Sequence, residues 1–373
     1  MTSGREAGTG DEGCSWETIE AWAADGDAER IAALGEGLAV RRRETHERLR
    51  SLDRELGFAL RVLALTPGRR FVEQLLALLC RAREAQVGDE CGPRWIASLI
   101  AEAQPLDDAL YVLRESGREH DELRACLFHE LLLRGVNPEL LLPRNALRPE
   151  PGWHDLAWLP DRLADMEYGA EFPGRGYRGG AGIPYGGLAS PVWVDAAVRR
   201  AAAGYRLSER SSADLLAPIG GPPRVGGWGN YEARAFVSDR SILRADVPGV
   251  LTTLPMDCVR GLGEHDRFEV EAYSLDKVWE TLYTTAAGGG MYHPGVYGAY
   301  GRLAAWRSIA GLCGVGVGVT ATAAAVEHRA RACAWYRFEA DSEWFFNEIY
   351  DYGIAALAPD GRHLAVLAAT DTD

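Results

Sequence analysis

The spacing of apolar positions changes character partway along this 373-residue chain. Over residues 28–65 apolar side chains recur at intervals of three and four, the period of a helix with one buried face. Pro67-Gly68 interrupts the pattern and 71–85 resumes it. Gly92-Pro93 and Pro105 then open helices near 95–103 and 106–115, and a run over 119–134 stops at Gly135. Short helices punctuated by Gly and Pro predict an all-α region of helical hairpins, either stacked as a solenoid or closed as a bundle, because both bury the same apolar stripe.

Mixed signals follow a Pro- and Arg-rich joint near 143–152, the expected site of first proteolytic cleavage. Ser190-Pro191 reads as the N-cap and first-turn proline of a helix over 192–204. Residues 231–238, 250–255 and 267–273 have strand character, the last with Phe268, Val270 and Ala272 alternating against charged neighbours. Residues 275–287 read as a helix. Near the C-terminus Pro359-Asp360-Gly361 predicts a turn between two strands that are apolar on both faces, the mark of a sheet covered by helices. The expected fold is α+β, with a disordered tail over 1–15, an all-α domain over 16–148 and a mixed domain with a helix-packed sheet over 149–373.

Composition follows the same division: the first 150 residues hold only 13 of 43 glycines and 1 of 14 tyrosines. The opening MTSGREAGTGDEG lacks the basic and apolar regions of a signal peptide, and the longest uncharged run, 308–326, is broken by glycines, so neither export nor a membrane span is expected. Seven scattered cysteines with no C-x-x-C pair fit a reducing cytosol. A net charge of −14, spread over both regions, opposes the nucleic acid backbone, so no nucleic acid partner is expected. Arginine replaces lysine almost everywhere, Lys277 excepted, which points to a GC-rich bacterial genome rather than to phosphate binding.

Catalytic motifs fail on inspection. His129-Glu130 begins an H-E-x-x-H metal motif, but Leu133 stands in the last place. Ser274 and Lys277 match S-x-x-K without its partner motifs, and a serine before a helix is ordinarily a cap. The spacing of Asp257, Cys258, His265 and Asp266 fits no structural zinc pattern, so no metal is expected. Asp371 and Asp373 offer a hard cation two carboxylates, but a solvated chain end that blunts a sheet edge accounts for them better.

The remaining candidate is the stretch from Thr284 to Leu312, where seven glycines and three tyrosines surround His293 before a helix begins. Glycines at 288–290 free main-chain N–H groups to face a ligand, and Arg302 lies early in the following helix. Tyr292, His293 and Tyr297 add hydroxyls, an imidazole and flat faces suited to a small polar ligand. The alternative is a packed loop anchored by Trp306 and Ile309.

The segments GAYGRLAAWRS, Gly298 to Ser308, and LAVLAATDTD, Leu364 to Asp373, resemble an uncharacterised family of high-GC bacterial proteins of unknown function, mainly from about Leu251 onward. The resemblance implies no catalytic residues and no cofactor. The expectation is a cytosolic bacterial binding or regulatory protein, with a protein partner on the helical domain and a small polar ligand at Tyr292, His293, Tyr297 and Arg302. The alternative is an enzyme of unfamiliar type at the same loop, with His293 as acid/base and Arg302 as anion clamp.

Overall fold

A computed structural model describes residues 15–45, 50–85, 92–115, 117–142, 152, 154–167, 175–176, 179–180, 188–263, 265–316, 321–345 and 351–371. The tail expected over 1–15, save Ser15, and nearly all of the 143–152 joint lie outside the described residues. By packing, the chain forms two compact units that part after Glu119, with Gly176 grouped with the first.

Among the described residues the first unit contains six α-helices: α1 (Trp16–Ala24), α2 (Ala28–Glu44), α3 (Arg50–Leu65), α4 (Arg69–Glu84), α5 (Pro93–Ala103) and α6 (Leu106–Glu115). α1 packs on α2 and α3, α2 on α3 and α4, α3 on α4 and α5, and both α4 and α5 on α6. Helices one and two apart along the chain therefore pack on each other, as expected of a region of helical hairpins. Gln104, at the end of α5, binds the hairpin ahead of it. Its Nε2 donates to Ala64 O at 2.8 Å and Thr66 O at 2.7 Å, and its Oε1 accepts from Gly68 N at 3.1 Å. One amide thus satisfies the C-terminal carbonyls of α3 and a donor at the start of α4.

The division passes through the two-residue strand β1 (Arg175–Gly176), and the second unit holds α7 (Asp121–Leu133), α8 (Pro138–Leu141), β2 (Gly179–Gly180), β3 (Val192–Trp193), α9 (Ala196–Ala202), β4 (Leu207–Glu209), α10 (Ala213–Ile219), α11 (Gly221–Val225) and β5 (Asn230–Ser238). They are followed by α12 (Val247–Leu251), β6 (Phe268–Ala272), α13 (Leu275–Gly288), α14 (Tyr297–Leu312), α15 (Ala323–Ala332), β7 (Ala334–Ala340), β8 (Tyr352–Leu357) and β9 (His363–Thr370). The composition switch and the packing division fall at different places, since α7 lies on the helical side of the first yet packs against α14.

Seven strands form one antiparallel sheet in the order β3-β6-β7-β8-β9-β5-β4. Alternate residues such as Phe236, Phe338 and Val366 join a core with residues of α9 and α12. The other face meets α10, α11, α13 and α14. That sandwich explains why β8 is buried at every position. Phe338 pairs with Gly353 across β7 and β8, and its ring occupies the place a Cβ at 353 would need.

Two local expectations are overturned. Residues 192–204 do not start as a helix: Val192 and Trp193 pair with β6, and Asp195, accepting from Val198 N at 2.9 Å, caps α9 instead of Ser190. Residues 250–255 are not a strand, because Pro248 sits in the first turn of α12, which carries Val250 and Leu251 into the core.

Candidate functional site

Three carboxylates of the second unit occupy the places that the sequence offers to an anion. Glycine at 290 allows Asp371 to approach the loop, where a Cβ would collide with its Oδ2. Asp371 Oδ1 accepts from Gly229 N at 2.8 Å and Oδ2 from Met291 N. Gly290 N donates to Gly226 O at 3.0 Å and Val296 N to Ala286 O at 2.9 Å, so these loop N–H groups are spent within the protein. Asp371 is itself buried, in contrast to the solvated chain end expected; Asp373 lies outside the described residues.

The second carboxylate, Glu130, lies against the N-terminus of α14. Its Oε1 accepts from Gly298 N at 2.7 Å and from Ala299 N at 3.4 Å, while Oε2 pairs with Arg134. A Cβ at position 298 would strike this carboxylate, so glycine is what lets the anion reach the exposed amides of the first turn.

The third is Glu167, which takes both nitrogens of one edge of Arg302: Nε to Oε1 at 2.6 Å and Nη2 to Oε2 at 2.9 Å. The other donors reach His129 Nδ1 at 2.8 Å, Pro160 O at 3.0 Å and Arg162 O at 3.0 Å. All five guanidinium N–H groups are used, and the side chain is 0% exposed. Because a guanidinium only donates, His129 Nδ1 accepts and its proton resides on Nε2. Trp306 Nε1 donates to Glu167 Oε1 at 2.9 Å, and Ala164 N to Oε2 at 2.8 Å. Nearby, Tyr300 donates to Glu122 Oε1 at 2.9 Å, while Glu122 Oε2 meets His154 Nε2 at 2.7 Å. His129 and Glu130, discarded as a metal motif, thus serve α14 instead.

Of the four expected site residues, two are exposed, one is half-buried and one is enclosed. Tyr292 is 75% exposed and His293 is exposed, its Nδ1 accepting from Gly295 N at 3.1 Å, with its ring packed where Gly227 leaves room. Tyr297, half-buried, opens α14 with φ at 62°, whereas Arg302 is enclosed one turn further on. No ligand can reach that guanidinium in this arrangement. Lys277 pairs with Glu280 at 2.6 Å rather than addressing Ser274. Among the described residues no cluster of metal-ligating side chains occurs and no helix is long and apolar enough to cross a membrane.

An open cleft of about 590 Å³ lies elsewhere in this unit, walled by Arg244, Tyr273, Arg331, Cys333, Trp335 and Tyr336, with small alanines between them. The walls are held from behind: Tyr273 N donates to Trp335 O at 2.9 Å, Trp335 Nε1 to Ala330 O at 2.9 Å, and Tyr336 hydroxyl to Arg244 O at 3.2 Å. Burial pushes the Tyr336 phenol up, against the pull of the Arg244 charge, so it stays protonated and donating. Arg331 is committed to Asp165 at 2.8 Å and to Glu327, whereas no ion pair engages Arg244 among the described residues. Sequence reasoning missed this cleft because its walls come from separate segments, and Tyr273 reads only as a strand residue.

A model of a family of unknown function, DUF6183, matches residues 14–373. No curated protein and no solved structure matches the chain. The match includes the helical hairpins as well as the closing segments, so the likeness that begins near Leu251 in the sequence reading extends over nearly the whole length. The chain belongs to the DUF6183 family.

Proposed function

We propose that the chain is a binding or regulatory protein whose small ligand, a flat organic anion, docks in the cleft beside Arg244. The observation that carries this reading is an exposed guanidinium, Arg244, without an ion pair among the described residues, beside the cleft residues Tyr273, Trp335 and Tyr336. Aromatic faces bury the flat body of a ligand and a guanidinium orients its carboxylate or phosphate through two parallel hydrogen bonds. The cleft volume falls within the roughly 300–1,000 Å³ of small-molecule sites. The Gly/Tyr loop offers less to a ligand, because Asp371, Glu130 and Glu167 already hold its donors and those of α14.

Thermal-shift titration against aromatic carboxylates and aryl phosphates tests the proposal. A ligand that binds the folded protein raises the midpoint with concentration, and Arg244→Ala and Tyr273→Ala should each weaken that rise. No shift with any such probe, or a shift that both variants leave intact, would remove the cleft as the site.

A further inference from the structure

Two arginines, Arg244 and Arg331, line the cleft, and among the described residues no acidic side chain lines it. They differ in what already holds them. Arg244 begins the single helical turn that leads into α12 and makes no ion pair among the described residues. Arg331, in the last turn of α15, reaches Asp165 at 2.8 Å and Glu327 one turn back. Both contacts lie at the surface: the Arg331 side chain is 50% exposed and that of Asp165 is 81% exposed. Exposed ion pairs contribute little, because water screens them and ordering two side chains costs entropy. Arg331 is therefore held by contacts that a partner of greater charge can replace. Resting on the reading of the cleft as a ligand site, we infer that the ligand is a flat aromatic dianion rather than a monoanion, and that Arg331 is the residue that discriminates between them.

The charge balance sets this preference. A monocarboxylate is matched by the Arg244 guanidinium alone, through two parallel hydrogen bonds, and offers Arg331 no return for leaving Asp165 and Glu327. A second negative charge supplies that return. It can sit on the same group, as in a phosphate monoester, or elsewhere on the ring, as in a dicarboxylate; the shared chemistry is a flat body with two charges. The wall is built to present Arg331 beside the aromatic residues. Trp335 Nε1 donates to Ala330 O at 2.9 Å, which fixes the end of α15 against the strand that carries Trp335 and Tyr336. Cys333 N donates to the same oxygen at 3.2 Å, so a carbonyl that would repel an anion at this helix end is covered by two donors. The Tyr336 hydroxyl donates to Arg244 O at 3.2 Å and ties the second arginine to the same strand.

The test compares 1-naphthyl phosphate with 1-naphthoate on the full-length protein by isothermal titration calorimetry, at low salt and about pH 8, where the phosphate carries two charges and the carboxylate one. The phosphate should bind about tenfold more tightly, the order of one charge-assisted hydrogen bond. Naphthalene-2,6-dicarboxylate separates the two ways of presenting the second charge, and a gain for either dianion supports the inference. Arg331→Gln should narrow the ratio. Asp165→Asn, which relieves Arg331 of one carboxylate without altering the cleft, should widen it. Equal affinities for all three probes, or a dianion preference that Arg331→Gln leaves as it was, would overturn the inference. Naphthoate binding that Arg244→Ala weakens would in that case still uphold the cleft as the site, whereas no binding of any probe would remove both.

Discussion

Arg302 and Glu167 form a two-pronged ion pair in which both side chains are 0% exposed. Its surroundings decide what it contributes. Removing one partner from a buried pair leaves the other charged and unpaired, at a cost of about 3–5 kcal/mol. Arg302→Ala should therefore lower the unfolding free energy by that order, measured by urea denaturation. Replacing both partners with apolar residues, as Arg302→Met with Glu167→Leu, often restores an isolated pair. Here it should not, because Pro160 O, Arg162 O and Trp306 Nε1 would also lose their partners. A double variant as stable as the wild type would show these extra bonds to be idle.

Gly298 and Glu130 should be coupled. Gly298→Ala places a methyl against the carboxylate, and overpacking of this kind costs about 1–3 kcal/mol. In a Glu130→Ala background the same change should cost much less, since nothing remains to collide with. A double-mutant cycle in urea measures the difference, and additive effects would disprove the contact.

In the helical unit, Gln104→Ala leaves Ala64 O, Thr66 O and Gly68 N without their partner. The expected loss is about 1–3 kcal/mol. Hydrogen exchange should rise at the end of α3 and the start of α4. Uniform exchange across all six helices would instead indicate that the amide does not act locally.

Acid should loosen the turn between β8 and β9. Burial works against ionisation of Asp360, but donors from Arg362 N, His363 N and the His363 ring outweigh it and hold the carboxyl below its ordinary 3.8. A carboxyl lowered by folding stabilises the native state above its unfolded value, and that contribution is lost as pH falls through the folded one. His363→Ala should move the Asp360 titration, followed by NMR, upward. An unmoved titration would show the ring to be irrelevant.

How far the sequence could be read depended on the range of the interaction responsible. α6 matches its expected bounds because Pro105 and Gly117 punctuate it locally, and β6 matches because Phe268 and Val270 alternate with charged neighbours. The helix expected from Ser190 failed because pairing of Val192 and Trp193 with β6 outweighed local capping signals. At the candidate site, the chemistry around residue 302 was legible but its partner was not. Glu167 lies 135 positions away, and nothing in local spacing distinguishes a guanidinium awaiting a ligand from one matched by its own chain.

The position of β9 bears on how the chain is made. It lies between β8 and β5 in the sheet, so β5, synthesised more than a hundred residues earlier, must wait for it. The helical hairpins involve only near neighbours and can form while the ribosome is still working. A chain interrupted before His363 would carry β4 and β5 as an unattached ribbon with a long unpaired edge, open to self-association. A nonsense mutation at the His363 codon should therefore yield aggregated or degraded product rather than a folded, shortened protein.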